Sequence, residues 1–380
     1  MTAHVEDVLR RIEALAPRLT AAAATTEANR RLAPELVTAL AETGCFRIAL
    51  PRELGGCRAG STEYLDVLER VARADGSAGW CVMIAVTSSL VCGFLDDAVN
   101  AEIFRDPLGV TAGVVAPTGT AKEVDGGYEV SGRWSFASGC EHAAWRMVGV
   151  VVLGDDGPKR APSGAPIARQ VMLRGADTNV IDTWTVSGLR GTGSHDLTAE
   201  GVFVPASHAL DLLSGEPRVR EGVLALPVLG VLAAGIAAVG IGIASAALDA
   251  FVAIAREKRP MGAKRAISER ELVQALVAEC DADIRAARAH LRVAAEGAAA
   301  GDLAGRARLR IAATRATHAM ADTVQRVYKA SGGSAIYATQ PMQRYLRDAL
   351  VTTQHVMVGE QTLAVGGRVL LGLDTDATLF

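Results

Sequence analysis

Gly132-Arg133-Trp134-Ser135-Phe136-Ala137-Ser138-Gly139-Cys140 decides how the rest of this chain is read. It follows a strand-like run, Tyr128-Glu129-Val130-Ser131, and precedes a second one, Met147 to Leu153. A strand that ends in Trp, Phe and two hydroxyls beside a glycine suits a flat, partly polar ring. Such a ring wants an aromatic wall, a few fixed hydrogen bonds and a close backbone approach. A plain strand with a buried Trp has the same composition, so the segment takes its meaning from its surroundings.

Those surroundings divide the chain in three. Up to about residue 108 the apolar positions recur at helical spacing: Val5, Val8, Leu9, Ile12 and Leu15, then Leu36, Val37, Leu40 and Ala41. Pro51 and Gly55-Gly56 interrupt them, and a further amphipathic helix starts at Ser61-Thr62-Glu63 with Leu65, Leu68 and Val71 on one face. From Val110 to Leu210 the runs become short and β-rich, as in Gly109 to Val115, Tyr128 to Trp134, Met147 to Leu153, Gln170 to Leu173 and Gly201 to Val204. Asp155 to Pro166 reads as an exposed loop. After Gly222 the pattern is helical again, broken at Pro260-Met261-Gly262, Gly301 and Ser331-Gly332-Gly333. No internal repeat is visible. The expected fold class is α+β, with boundaries at 1–108, 109–215 and 216–380.

A chain of 380 residues is long for one core, and its 50% apolar content supplies a large interior. The net charge of −3 argues against a nucleic-acid partner. The six cysteines (Cys45, Cys57, Cys81, Cys92, Cys140 and Cys280) have no metal-ligand spacing and form no CxxC. With no signal-like N-terminus, they read as reduced thiols of a cytoplasmic protein without a metal site. Gly222 to Leu248 contains no charged residue and is long enough to span a bilayer. It is nevertheless rich in Gly and Ala, carries Pro227 early and runs into Arg256-Glu257-Lys258-Arg259. It is expected to be the central helix of a bundle, hidden in a homotetramer or homodimer and not in a membrane.

This order of parts, with four local segments, resembles the acyl-CoA dehydrogenase superfamily over nearly the whole chain. The segments are Leu36 to Gly56; Gly132 to Gly139; Gly188-Leu189-Arg190-Gly191-Thr192-Gly193-Ser194-His195-Asp196 with Val202-Phe203-Val204-Pro205; and Ser331-Gly332-Gly333-Ser334 with Arg347-Asp348. The resemblance implies an N-terminal helical domain, a central β-barrel domain and a C-terminal four-helix bundle. A dehydrogenase of this family needs a carboxylate base, placed in many relatives shortly after an Arg-Asp pair. Here the pair is Arg347-Asp348, and the matching position is Val356 with His355 beside it. A second family location, early in the long apolar helix, holds neither Asp nor Glu from Val223 to Leu248. Glu360, read as lying on the same helix, would be displaced by one turn, about 6 Å.

A branch without that base is the two-component flavin-dependent monooxygenases, which act on 4-hydroxyphenylacetate, indoles, steroid-derived phenols or dibenzothiophene. Asp75-Gly76-Ser77-Ala78-Gly79-Trp80, Gly132 to Gly139 with Cys140-Glu141-His142, and Gln354-His355 with Gly367 to Gly372 are similar to segments of that branch. The resemblance implies an oxygenase component that takes reduced FAD or FMN from a separate flavin reductase. With O2 the flavin gives a C4a-hydroperoxide, and a small aromatic substrate such as an indole or phenol is hydroxylated. The alternative is an FAD-dependent acyl-CoA dehydrogenase using Glu360. The absence of a GxGxxG element after a strand fits an enzyme that does not reduce its own flavin.

Residue roles follow from the same resemblance. Ser138 is the candidate hydroxyl near flavin N5, and Trp134 and Ser135 belong to the flavin strand. His355 is the first candidate for the catalytic base, since a histidine titrates near working pH. His142 is second, reading equally as a site edge or a solvated turn. His195 reads as a surface residue, with a place near the flavin phosphates as the alternative; His4, His208, His290 and His318 carry no functional reading. Arg256, Gly332 and Gly333 are candidates for the flavin tail, and Trp80 for the substrate wall.

Overall fold

The computed structural model describes residues 5–298, 301–377 and 380; His4 lies outside them. Five helices come first: α1 (Val5–Asn29), α2 (Pro34–Thr43), α3 (Ser61–Ala74), α4 (Gly76–Ser89) and α5 (Asp97–Ile103). Their apolar stripes point inward as the spacing predicts, with Val5, Val8 and Ile12 buried on α1 and Leu65, Leu68 and Val71 on α3. Every residue of α4 is buried, and Asp75 caps it by accepting from Ala78 N at 2.7 Å.

Eight strands follow: β1 (Thr111–Val124), β2 (Gly127–Ala137), β3 (Trp145–Gly154), β4 (Gly157–Pro158), β5 (Ala168–Arg174), β6 (Asn179–Ile181), β7 (His195–Pro205) and β8 (Ala209–Leu210). They form one sheet in the order β6-β7-β2-β1-β3-β5-β8, with β4 paired to β3 and the β1–β3 pair parallel. The expected barrel is thus a sheet wrapped around its own core, with β6 and β8 as its two ends. That core holds Val130, Trp134, Val148, Val150, Val171, Leu173 and Leu197.

The C-terminal part has three long helices, α6 (Val228–Glu257), α7 (Glu271–Ala298) and α8 (Leu303–Ser331), then α9 (Met342–Thr352) and α10 (Gln361–Leu370). Helix α6 is the uncharged run, and the chain itself covers it. Helices α3 and α4 pack on it, as do α7, α8 and α9. Its residues from Leu229 to Leu248 are all buried. The expectation that a second subunit hides this helix is corrected, because neighbours within one chain already do so. The close α3–α6 approach needs Gly235, where a Cβ would meet Tyr64 Oη at 2.2 Å. Tyr64 Oη donates to Val231 O at 3.2 Å and stitches the pair.

The fourth helix of the expected bundle is broken. Helix α9 ends at Thr352, a short turn spans Val356–Val358, and α10 begins only at Gln361. Val356 and Glu360 are therefore not on one continuous helix. Glu360 sits exposed at the start of α10.

Candidate active site

The end of β2 carries a bulge. Trp134 pairs with Leu197 but Ala137 with His195, so β2 holds one extra residue there. Phe136 absorbs the distortion at φ +64° and leaves 71% of its surface exposed, edge-on to Trp184 at 6.1 Å. Strand alternation would place Trp134, Phe136 and Ser138 on one face. The bulge separates them.

Trp134 is fully buried in the sheet core and its Nε1 donates to Gly149 O at 2.7 Å. The expected flavin-facing role of Trp134 is corrected: the ring has no free surface to offer a ligand. Ser135 is exposed and hydrogen-bonded to Asp196, which also accepts from Arg133 Nε at 2.6 Å.

Ser138 is turned inward into a run of hydroxyls. Trp80 Nε1 donates to Ser138 Oγ at 3.1 Å, Ser138 Oγ lies 2.7 Å from Ser194 Oγ, and Ser194 Oγ lies 2.7 Å from Thr192 Oγ1. Thr192 Oγ1 in turn donates to Leu189 O at 2.8 Å. Gly139 N donates to Thr192 O at 2.9 Å and fixes the strand end to this loop. The loop nests between α1 and α4 because residue 191 is Gly; a Cβ there would meet Thr26 Cγ2 at 2.3 Å and Ser77 at 3.0 Å. In the sequence Thr192 and Ser194 stand out only as members of a glycine-rich loop. Their spacing to Ser138, more than fifty positions along the chain, carries no local signal.

Trp80 also meets His355, ring centroids 5.9 Å apart. His355 occupies the break between α9 and α10, where its Nδ1 accepts from Met357 N at 3.2 Å. Burial, assisted by Arg310, pushes its pKa down to about 4. The imidazole is therefore neutral near pH 7, with its hydrogen on Nε2. This favours a hydrogen-bonding role over the role of base. A group so hard to protonate is a poor general base, and its free edge is a donor.

His142 is half-buried; its Nε2 would lie 2.9 Å from a Cβ at Gly139, and burial followed by Arg146 lowers its pKa to about 4. It packs on the backbone next to Ser138, not in a solvated turn. His195 is buried, with Nδ1 accepting from Thr183 N and Trp184 N at 3.2 Å each. The surface reading of His195 is thus overturned, and the ring instead holds the 183–184 backbone. Cys81 and Cys140 flank the hydroxyl run, and burial holds both thiols protonated.

Beneath the loop, Leu189 N donates to Asp348 Oδ1 at 2.6 Å. Burial lifts the Asp348 pKa to about 7, with Asp75 adding to the rise. On the same turn as Thr192, the buried Nε of Arg190 has no hydrogen-bond partner, and its guanidinium makes no ion pair among the described residues. The site thus offers a hydroxyl with a spare lone pair and a neutral imidazole N–H, with the unpartnered Nε of Arg190 on the adjoining turn. This set fits a ring bearing both N–H and carbonyl groups, as a reduced flavin does.

The residues expected at the flavin tail lie apart from this cluster. Arg256 is exposed on the last turn of α6, and Gly332 and Gly333 are exposed beyond α8, Gly332 at φ +67°. Lys258, not Arg256, joins the two ends, donating to Ser331 O at 2.5 Å and Ser334 Oγ at 3.3 Å. A cavity of 210 Å³ lined by Leu90, Phe94, Leu224 and Phe380 lies past the far end of α4 and contains none of the hydroxyl run.

Residues 5–105 match the acyl-CoA dehydrogenase N-terminal domain and residues 234–360 its C-terminal domain. The chain is 30% identical to the indole-3-acetate monooxygenase of Pseudomonas putida over 90% of its length and 88% of the relative's. It is 31% identical to the oxygenase subunit HsaA of a flavin-dependent monooxygenase from Rhodococcus jostii, over 90% and 92% of the two chains. The crystal structure of a 3-HSA hydroxylase from Rhodococcus superposes with a TM-score of 0.89 at 29% identity, covering 98% of this chain and 99% of that one. The chain belongs to the acyl-CoA dehydrogenase superfamily. Within it, the chain falls among the flavin-dependent monooxygenases, as an oxygenase component that uses reduced flavin and O2.

Proposed function

We propose that this protein hydroxylates a small aromatic compound, a phenol or an indole, with reduced FAD or FMN delivered by a separate flavin reductase. The observation that carries the reading is the convergence of Trp80, Ser138 and His355, drawn from α4, the turn just after β2 and the α9–α10 break. Bound reduced flavin supplies the electrons that activate O2. Everything else falls to the chain's own groups. Ser138 holds the ring edge, and the Trp80 indole closes one side against water. His355 offers its Nε2–H to an oxygen atom of the substrate or of the oxygen being transferred, and orients it. Arg190 supplies a cation for carbonyl oxygens or an anionic ring.

The dehydrogenase alternative lacks its base, since Glu360 is exposed beyond the break. Reduced thiols at all six cysteines support a cytoplasmic setting. Met261, Ile336 and Tyr337 are exposed by 104%, 66% and 66% around the Lys258 link, an apolar surface suited to a dimer or tetramer contact. The test is turnover with a flavin reductase, NADH and a panel of phenols and indoles, read as product mass. A gain of one oxygen on an aromatic ring supports the assignment; peroxide as the sole product across the panel opposes it.

A further inference from the structure

The hydroxyl run has a direction, and the direction follows from its two ends. An indole N–H can only donate, and Trp80 Nε1 donates into Ser138. A carbonyl can only accept, and Leu189 O accepts from Thr192 Oγ1. Leu189 O is held in place, because its own N–H is bound to Asp348 and Trp184 Nε1 also donates to it at 3.2 Å. Three hydroxyl hydrogens and one indole hydrogen fill all four links in one arrangement only. Trp80 donates to Ser138, Ser138 to Ser194, Ser194 to Thr192, and Thr192 to Leu189 O. Ser138, Ser194 and Thr192 are each at most 4% exposed, so water does not compete for these links.

We propose that Thr192 and Ser194 are positioning residues that commit the Ser138 hydroxyl to accept, and thereby make the site favour reduced over oxidised flavin. The proposal rests on the flavin reading above and specifies how that site discriminates redox states. With its hydrogen given to Ser194 and one lone pair taken by Trp80, Ser138 has a single lone pair left. A ligand atom there must carry hydrogen. Reduced flavin has N5–H; oxidised flavin presents a bare N5 lone pair, which would face another lone pair. Reversing the run would reverse the preference, and the residue that sets the sense is Thr192, remote from the ligand.

The experiment measures anaerobic dissociation constants of FAD and FMN, oxidised and dithionite-reduced, for the wild type, Thr192→Val, Thr192→Ser and Ser194→Ala. In Thr192→Val the Ser194 hydrogen loses its acceptor and turns to Ser138, whose own hydrogen is released toward the ligand. The ratio of oxidised to reduced dissociation constants then falls about tenfold, one hydrogen bond's worth. The two-electron midpoint potential of bound flavin falls with it by about 30 mV. Thr192→Ser keeps the direction and restores the wild-type ratio, which a purely structural role of the methyl group would not. Ser194→Ala frees the Ser138 hydrogen by a second route and lowers the ratio in the same sense, should Thr192→Val fold poorly. A ratio within twofold of wild type in both Thr192→Val and Ser194→Ala, with flavin still bound, overturns the proposal. A wild type that binds neither redox form overturns the flavin reading itself, and the proposal with it.

Discussion

The indole N–H of Trp80 donates to the Ser138 hydroxyl across 3.1 Å, tying a wholly buried helix to the end of a bulged strand. The bond joins the N-terminal helical part to the sheet at the point where the chemistry is expected. It also satisfies the one polar atom of the Trp80 side chain, so the buried ring presents only apolar surface to its neighbours.

Ser138→Ala removes the acceptor of Trp80 and the donor to Ser194 together. Leaving a buried N–H unpaired costs about 1–3 kcal/mol, so thermal unfolding should fall by a few degrees without loss of fold. The larger effect is on coupling. With the ring-edge contact gone, more reduced flavin is spent on H2O2 per product formed. A peroxide assay run beside product analysis reads this directly, and an unchanged ratio removes Ser138 from the chemistry.

His355→Ala should lower hydroxylation by about 10²-fold, the lower end of the range for removing one preorganised hydrogen-bond donor, while reduced flavin still binds. Glu360→Gln should leave turnover nearly unchanged. Because His355 stays neutral down to about pH 4, the kcat/KM profile should show no break near pH 6.5 assignable to it. Loss of acyl-CoA turnover in Glu360→Gln, with His355→Ala active, would instead point to dehydrogenation.

Two histidines set a limit in acid. His142 and His355 have folded values of about 4, below the ordinary 6.5. Between those values the unfolded chain binds more protons, so stability is full above pH 6.5 and is lost as pH falls toward 4. Denaturant midpoints measured across that window should drop, and the drop should shrink in His142→Gln. An equal slope in the variant would mean that other groups carry it.

Asp348 works in the opposite sense. Its folded value is raised to about 7 from 3.8, so its contribution is full below 3.8 and is lost as pH rises through 7. Asp348→Asn keeps an oxygen for Leu189 N without the charge. Its melting temperature relative to wild type should therefore gain more at pH 8 than at pH 5. A gain independent of pH would show that the carboxyl is not protonated when folded.

Much of this was legible in the chain. Helical spacing located α1 to α3, and β-branched runs between turn residues located β1, β2, β3, β5 and β7. The uncharged run after Gly222 named the central helix. What failed has physical causes. Trp134 and Phe136 alternate in sequence, but Trp134 stays in the regular ladder on the core face beside Val130, while a left-handed Phe136 breaks the alternation and turns its own ring outward. His355 looked like a helical residue, yet the helix stops at Thr352 and the imidazole caps the next turn. Resemblance pointed to Ser138, but the polarity of its hydroxyl depends on Thr192 and Ser194, which only folding brings near.

In the proposed reaction one atom of O2 is transferred to an aromatic ring. This transfer is tested most directly by turnover under isotopically labelled O2 with a flavin reductase and NADH, followed by mass analysis of the aromatic product. One labelled oxygen per product molecule is expected, with the label absent when reductase or flavin is left out. Unlabelled product, or oxidation of an acyl-CoA with no oxygen gained, would contradict it.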